Sequence, residues 1–429
     1  MDLATRQKYT DILTEELIPA LGCTEPASLA LAAARAKEAL GEMPDRIVVE
    51  VSGNIVKNVK SVVVPKTGGQ KGIETAVMAG ILIGKSDKSL ELFTCLNGDD
   101  AENIKNLLKI IPVEVNLYKK DKIFYIKITL YKGENYASAV IEDLHSNITS
   151  VKYNGKSVSA RGRRTDFSQK NCCDRSCLNT ADIVEYADTV PVCDIKEIIE
   201  RQINYNSAIS QEGLKNAWGA QIGRVLLRHG EDIATKVKAA AAAGSDARMS
   251  GCELPVVVVS GSGNQGITAS LPLIEYSNNI NCSHEKLIRA LALSDLVTLH
   301  QKRGIGPLSA YCGVVSAACG AAAGICYLEG GKLEEISHTI VNTLAVSSGI
   351  ICDGAKPSCA AKIAVAVEAG LLGYRMYLEG RQFYHGEGIV CKGVDNTIAN
   401  VSRLASKGMK ETDKEILMIM TDKKQGQDN

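Results

Sequence analysis

Histidine is scarce, six in 429 residues, and none stands in an H-x-x-x-H pair. Zinc hydrolases take metal ligands from such pairs, so zinc catalysis is disfavoured. Net charge is absent too, with 49 Lys plus Arg against 49 Asp plus Glu. That balance recruits neither nucleic acid nor an anionic membrane, and the expected partner is a small molecule. Long apolar runs are missing: the stretches 239–243 and 314–327 are too short or too rich in Gly and Ala to span a bilayer, which needs about 20 apolar residues. The opening residues, Met1-Asp2-Leu3-Ala4-Thr5-Arg6-Gln7-Lys8, lack an apolar h-region and a cleavage pattern, so a cytoplasmic location is expected. There is no internal repeat, and no low-complexity segment beyond the Ala239 run.

What the chain does have is cysteine, 14 in all. Disulfide scaffolds are short and secreted, whereas this length and this opening predict reduced thiols. A chain of 429 residues also exceeds one ordinary core and predicts two or three domains. Residues 7–18 and 24–40 have helical texture, the second with Thr24 as N-cap, Glu25 and Pro26 in its first turn and Gly41 as its end. From residue 45 the texture changes to β-branched runs at 46–51, 62–64, 113–118, 123–130, 136–141 and 148–153, interrupted by helical segments at 72–83 and 101–110. Residues 160–180 have little apolar periodicity and read as an exposed connection. Beyond 194 the chain turns helical, with segments at 212–227, 287–303, 308–328, 333–348 and 359–377, a short strand at 255–260 and a Gly-rich turn at 261–266. The expected class is α+β: a mixed-sheet α+β domain (45–160) inserted into a mainly helical, cluster-bearing domain (194–429), with N-terminal helices (1–44) packing on the latter and 161–193 as the connection.

Four cysteines stand in settings that suggest a soft-metal site: Cys23, Cys312, Cys352 and Cys359. Cys352 and Cys359 flank the turn formers Asp353-Gly354-Ala355-Lys356-Pro357 ahead of a helix, where backbone N–H groups and Lys356 can stabilise a thiolate. Two ligands there and a third on another helix could hold a cluster with one iron left open. Cys95, Cys252, Cys319 and Cys326 read as packed core thiols. Cys172, Cys173 and Cys177 cluster tightly, yet no second Cys/His pair stands at zinc spacing, which favours a solvated loop.

The motifs Gly22-Cys23-Thr24-Glu25-Pro26, Ser52-Gly53-Asn54-Ile55 with Lys57-Asn58, Gly261-Ser262-Gly263-Asn264-Gln265-Gly266, Gly304-Ile305-Gly306-Pro307-Leu308-Ser309 before Cys312-Gly313, and Ile351-Cys352-Asp353-Gly354-Ala355-Lys356 carry a family likeness. In this order, and continuing to Gly408-Met409-Lys410-Glu411-Thr412-Asp413, the chain resembles the L-cysteine desulfidase family, itself related to the α-chain of iron–sulfur L-serine dehydratases. The resemblance implies an oxygen-sensitive 4Fe-4S cluster on three cysteines, an open iron acting as Lewis acid, and no pyridoxal phosphate. By desulfidase analogy the ligands match Cys23, Cys312 and Cys352; by dehydratase analogy the third matches Cys359. The implied reaction is lyase chemistry in the cytoplasm: β-elimination of L-cysteine through aminoacrylate to pyruvate, ammonia and hydrogen sulfide.

Elimination needs a base for the α-proton and clamps for the amino acid. Lys57, Asn58 and Lys66 lie beside the turn Thr67-Gly68-Gly69-Gln70, which could face a carboxylate. His145, in Leu144-His145-Ser146-Asn147, stands where the family tends to show a His-Thr pair. Lys356 lies between two candidate ligands, and the backbone amides of 260–266, with Ser262 and Asn264, suit a carboxylate. Catalytic roles are therefore expected for Lys356, His145 and Lys57, and substrate binding for Asn58, Lys66, Ser262 and Asn264. The rival readings are an iron–sulfur L-serine dehydratase and a non-enzymatic small-molecule-binding protein whose cysteines pack. A homo-oligomer is compatible with all of them.

Overall fold

The computed structural model describes residues 1–120, 122–158 and 173–421, and the chain divides into two compact units. The first gathers Met1–Pro19, Cys173–Cys352 and Pro357–Met409; the second gathers Ala20–Cys172, Asp353–Lys356 and Lys410–Asn429. The expected α+β class stands, and the boundaries differ. The helix Thr24–Leu40 was expected on the C-terminal helices and packs instead on the sheet, while the helix Lys410–Thr421 also leaves the helical part. Most of the expected connection at 160–180, Cys172 included, lies outside the described residues.

The second unit is built on a mixed six-stranded sheet in the order Val113–Leu117, Arg46–Val51, Tyr125–Lys132, Asn135–Glu142, Ile148–Tyr153, Lys156–Ser157. The first pair is parallel and the rest antiparallel. Alternation decides its faces: Ile47, Val49 and Val51 lie opposite Leu130, Ile128 and Ile126, which lie opposite Ala137, Ala139 and Ile141, and all nine are buried. Thr24–Leu40 covers this sheet together with the helix Ile73–Ile83. Its alanines allow the two helices to touch at backbone distance, since a β-carbon on Gly80 would run into the carbonyl of Ala30. Gly41 ends it in the left-handed region at φ 83° with its N–H on Lys37 O, as the sequence predicts.

The first unit is helical, and its centre is Gly313–Leu328, buried from Val314 to Leu328 on every side. A helix apolar all round belongs inside a bundle, and here His284–Ile305, Gly263–Asn279, Leu333–Ser347 and Cys359–Leu378 surround it. Three local expectations fail for identifiable reasons. The single helix at 212–227 is broken between Lys215 and Ile222, because Asn216 Nδ2 and Trp218 Nε1 fold back onto Glu212 Oε1 at 2.7 and 2.9 Å. The Gly-rich turn is tighter than predicted: Ser260 and Gly261 take positive φ, and residues from Gly263 already form the next helix. The helix expected from 308 starts only at Gly313, after Pro307 and an extended stretch.

Asp295 lies in this core with no exposed surface; its Oδ1 accepts from Gln202 Nε2 at 3.0 Å, and its Oδ2 has no hydrogen-bond partner among the described residues. Burial pushes its carboxyl up to about 8. The folded value lies above the unfolded one, so the native state binds more protons between about pH 4 and 8 and stability falls as pH rises through that window. Asp295→Asn should therefore raise the melting temperature, by an increment that grows from pH 5 to pH 8. A gain that is absent at pH 8, or largest at pH 5, would contradict the assignment.

Candidate active site

Two short segments of the first unit bring thiols together. Cys312 N–H donates to Ile350 O at 3.0 Å and Cys352 N–H to Ala310 O at 2.6 Å, around an antiparallel bridge of Tyr311 and Ile351. This ladder sets Cys312 and Cys352 at diagonal positions across the bridge, where each thiol is felt by the other. Cys312 is the N-cap of Gly313–Leu328 in extended conformation, φ −72° and ψ 116°, with 7 % of its surface exposed. The Cys352 side chain, then burial, hold its thiol well above the ordinary cysteine range; the N–H of Val314 at the helix start acts in the opposite sense. Cys359 is the first residue of Cys359–Leu378 and also acts electrostatically on Cys312. Three of the four predicted thiols thus belong to one neighbourhood. No group of three or more His, Cys, Asp or Glu side chains among the described residues is gathered as a single-ion site.

Sequence reasoning missed two side chains here. Lys302 reads as part of a polar run, His300-Gln301-Lys302-Arg303, yet it is 5 % exposed. Its helical neighbours Thr298, Leu299 and Ile305 are buried, and that spacing was the available signal. Burial pushes its ammonium down to about 8, against the pull of Cys352, Cys312 and Glu16. Gln265 lies so close under Gly313 that a β-carbon there would meet its amide, and its Oε1 is buried with no hydrogen-bond partner among the described residues, as is the Tyr311 hydroxyl.

Other predicted residues of this unit have structural employment. Asn264 Oδ1 accepts from Arg248 Nη1 at 3.1 Å and Ser245 Oγ at 3.3 Å, and its Nδ2 lies 3.5 Å from Met249 Sδ. Ser262 is an N-cap residue whose backbone pairs with Val259 in both directions. Cys319 and Cys326 are core thiols, pushed up to about 12 by burial. Cys252 is buried likewise, but Cys95 is exposed, contrary to the core reading. Cys173 and Cys177 lie at or in the 3-10 turn Arg175–Cys177, which Arg175 ties to Glu15 and Glu16.

In the second unit Cys23, and not Thr24, is the N-cap of Thr24–Leu40, and it is 2 % exposed. The first-turn Glu25 is the centre of a buried polar group. Its Oε1 accepts from Asn58 Nδ2 at 3.0 Å, its Oε2 accepts from Thr24 Oγ1 at 3.2 Å, and His145 Nε2 stands 3.7 Å from Oε1 with no hydrogen bond among the described residues. The His145 carbonyl accepts from Ser28 Oγ at 2.6 Å, and its ring meets Phe124 edge-on at 4.7 Å. Asn58 and His145, far apart in sequence, are therefore brought together by Glu25, which the sequence showed only as a first-turn residue. Lys57 is buried and donates to Asp413 Oδ1 of Lys410–Thr421. Gly354, at φ 94°, rests on the Lys57 carbonyl, where any β-carbon would collide. Lys356 pairs with Asp353 in its own turn and donates to Gly354 O at 3.1 Å. Lys66 Nζ donates to the carbonyls of Thr94 and Leu96 at 3.2 and 3.0 Å, which makes it a loop tie rather than an open clamp.

No helix among the described residues is long and apolar enough to cross a membrane. Residues 141–418 match a family model described as serine dehydratase alpha chain. The chain is 54 % identical over 415 residues to a UPF0597 protein of Desulfitobacterium hafniense (strain Y51), covering 96 % of each. It is 47 % identical over 415 residues to a UPF0597 protein of Lachnoclostridium phytofermentans, covering 96 % of this chain and 99 % of that one. A UPF0597 protein of Finegoldia magna is 46 % identical over 418 residues, 97 % of this chain and 100 % of the other.

Proposed function

Since the chain belongs to the serine dehydratase alpha chain family, we propose that it is an iron–sulfur lyase converting L-cysteine and water to hydrogen sulfide, ammonia and pyruvate. The observation that carries this reading is the Cys312–Cys352 pair, its first member buried and its second partly so, inside the matched region. The donors fit an anionic sulfur cluster. They are thiols throughout, one of them caps a helix N-terminus with the Val314 N–H turned to its sulfur, and Gln265 Oε1 and the Tyr311 hydroxyl have no hydrogen-bond partner among the described residues. A cluster asks each thiolate to bind its own iron, so convergence on a single-ion site is not required. Cys312, Cys352 and Cys359 would hold it, with Cys23 the alternative third ligand. When bound, the cluster supplies an iron with an open position for the departing sulfur.

The chain's own residues supply the rest. The Tyr311–Ile351 ladder fixes the spacing of two ligands, and burial at Cys312 keeps water from the thiolate. His145 is the proton acceptor in this reading: its Nε2 is buried, makes no hydrogen bond among the described residues and stands 3.7 Å from Glu25 Oε1. Asn58 is held by Glu25 through Nδ2, which leaves its buried Oδ1, without a partner among the described residues, to accept from the substrate ammonium. Lys57 and Lys356, both ion-paired, organise backbone rather than exchange protons.

L-Serine as substrate is the second reading, favoured by the description of the matched family. Protein reconstituted without oxygen is offered each amino acid, and sulfide and pyruvate are measured. Sulfide and pyruvate in equal amounts from L-cysteine are expected. Pyruvate from L-serine alone moves the activity to dehydration, and an iron-loaded protein inert to both amino acids refutes the lyase reading.

A further inference from the structure

The short helix Gly53–Val59 divides its residues among three faces. Ile55 and Val59 belong to the core and have no exposed surface. Gly53 and Lys57 serve the helix Lys410–Thr421: a β-carbon on Gly53 would run into the Leu417 side chain, and Lys57 Nζ donates to Asp413 Oδ1. Asn54 and Asn58 make the third face, one turn apart. Asparagine is a poor helix former, so two of them in so short a helix are not there for its stability. Asn58 has its Nδ2 on Glu25 Oε1 at 3.0 Å, while its Oδ1 is buried with no hydrogen-bond partner among the described residues. Asn54 Oδ1 is in the same condition, buried and with no partner among the described residues. The protein does not offset the desolvation of either oxygen, which marks both as acceptors kept for a donor that arrives from outside.

We propose that Asn54 is a second ammonium-binding residue of the site, and that Asn54 Oδ1 and Asn58 Oδ1 together hold the α-ammonium of a free amino acid. The inference rests on the lyase reading, in which Asn58 is the first ammonium acceptor. Residues four apart on a helix have β-carbons about 5–6 Å from each other. One nitrogen donating to two oxygens at about 2.8 Å each bridges up to about 5.6 Å, so a single ammonium spans the pair. Charge selects the same group, because the Glu25 carboxylate that holds Asn58 favours a cation beside it and disfavours the substrate carboxylate. Water brings two donors and no charge; an ammonium brings three donors and a charge. N-acylated and peptide-bound cysteine therefore fall outside the substrate class, since acylation removes the cation and leaves one N–H where two are needed.

The test compares full-length wild type, Asn54→Leu and Asn54→Asp, all reconstituted with iron and sulfide without oxygen. The probes are L-cysteine, N-acetyl-L-cysteine and 3-mercaptopropionate, which is L-cysteine without its amino group. Asn54→Leu should load iron like wild type and melt at or above the wild-type temperature, because a buried polar atom without a partner has been removed. Its KM for L-cysteine should rise about 10- to 100-fold, the range for a lost hydrogen bond to a charged group. Inhibition by 3-mercaptopropionate should stay within about twofold of wild type, since that probe has nothing for Asn54 to hold. Asn54→Asp keeps an oxygen acceptor and should recover most of the KM. Wild type should release no sulfide from N-acetyl-L-cysteine. Equal weakening of both L-cysteine and 3-mercaptopropionate in Asn54→Leu, or a lower melting temperature, makes Asn54 structural and overturns the inference. Sulfide from N-acetyl-L-cysteine at the L-cysteine rate overturns it on wild type alone, whether or not Asn54→Leu folds. Iron-loaded wild type inert to L-cysteine and L-serine refutes the lyase reading and this inference together, whereas an active wild type and an unchanged KM in Asn54→Leu refute the inference alone.

Discussion

Cys352→Ala protein prepared without oxygen should fold like wild type, retain no iron, and release sulfide from L-cysteine only at background rate. The fold should survive because the Cys352 backbone, not its side chain, does the local structural work: its N–H holds Ala310 O at 2.6 Å, and the Tyr311–Ile351 bridge stands beside it. The lost thiol is only partly buried, so removal should cost about 1 kcal/mol or less, well below a core truncation. What goes is the sulfur neighbour of Cys312. Iron and sulfide content, visible absorption and a thermal melt separate the effects. Full activity in a cluster-bearing Cys352→Ala protein would sink the assignment. The same measurements on Cys359→Ala and Cys23→Ala decide the third ligand: the variant that loses iron while keeping its melt identifies it.

The sheet of the second unit was legible because alternation is a one-residue signal: Ile47, Val49 and Val51 repeat with period 2, and the strand at 46–51 appears where the pattern stands. The run at 62–64 has the same composition but only isolated pairing of Val63 with Lys71, since β-propensity does not provide a partner strand. The helices of the first unit were harder to delimit. The helix Ile233–Met249 carries the alanine run and is buried along nearly its whole length, so no amphipathic stripe announces it. In the candidate site the cysteines were legible as residue types beside turn formers, whereas Lys302, Glu25 and Gln265 were not. Their importance comes from burial, and burial of a charged or amide side chain is set by tertiary neighbours that local sequence does not contain. The same reason explains Lys66 and Asn264, which suited substrate binding by type and are occupied by protein carbonyls and by Arg248.

His145→Gln should retain its iron and lose about 10²- to 10⁴-fold in kcat, the range for removal of a positioned general base. The backbone anchor of this residue is independent of its ring, because Ser28 Oγ donates to the His145 carbonyl. The edge-on contact with Phe124 is lost, at about 0.5–1.5 kcal/mol, which should lower the melting temperature slightly. Glu25→Gln tests the same group from the other side. It keeps an acceptor for Asn58 Nδ2 but removes the charge 3.7 Å from His145 Nε2, so its loss of kcat should be smaller than that of His145→Gln. In the double variant the two losses should fall well short of multiplying, because a carboxylate acting through the imidazole has nothing left to act on. Losses that multiply would make Glu25 an independent group, and activity of His145→Gln within about twofold of wild type would remove the imidazole from proton transfer.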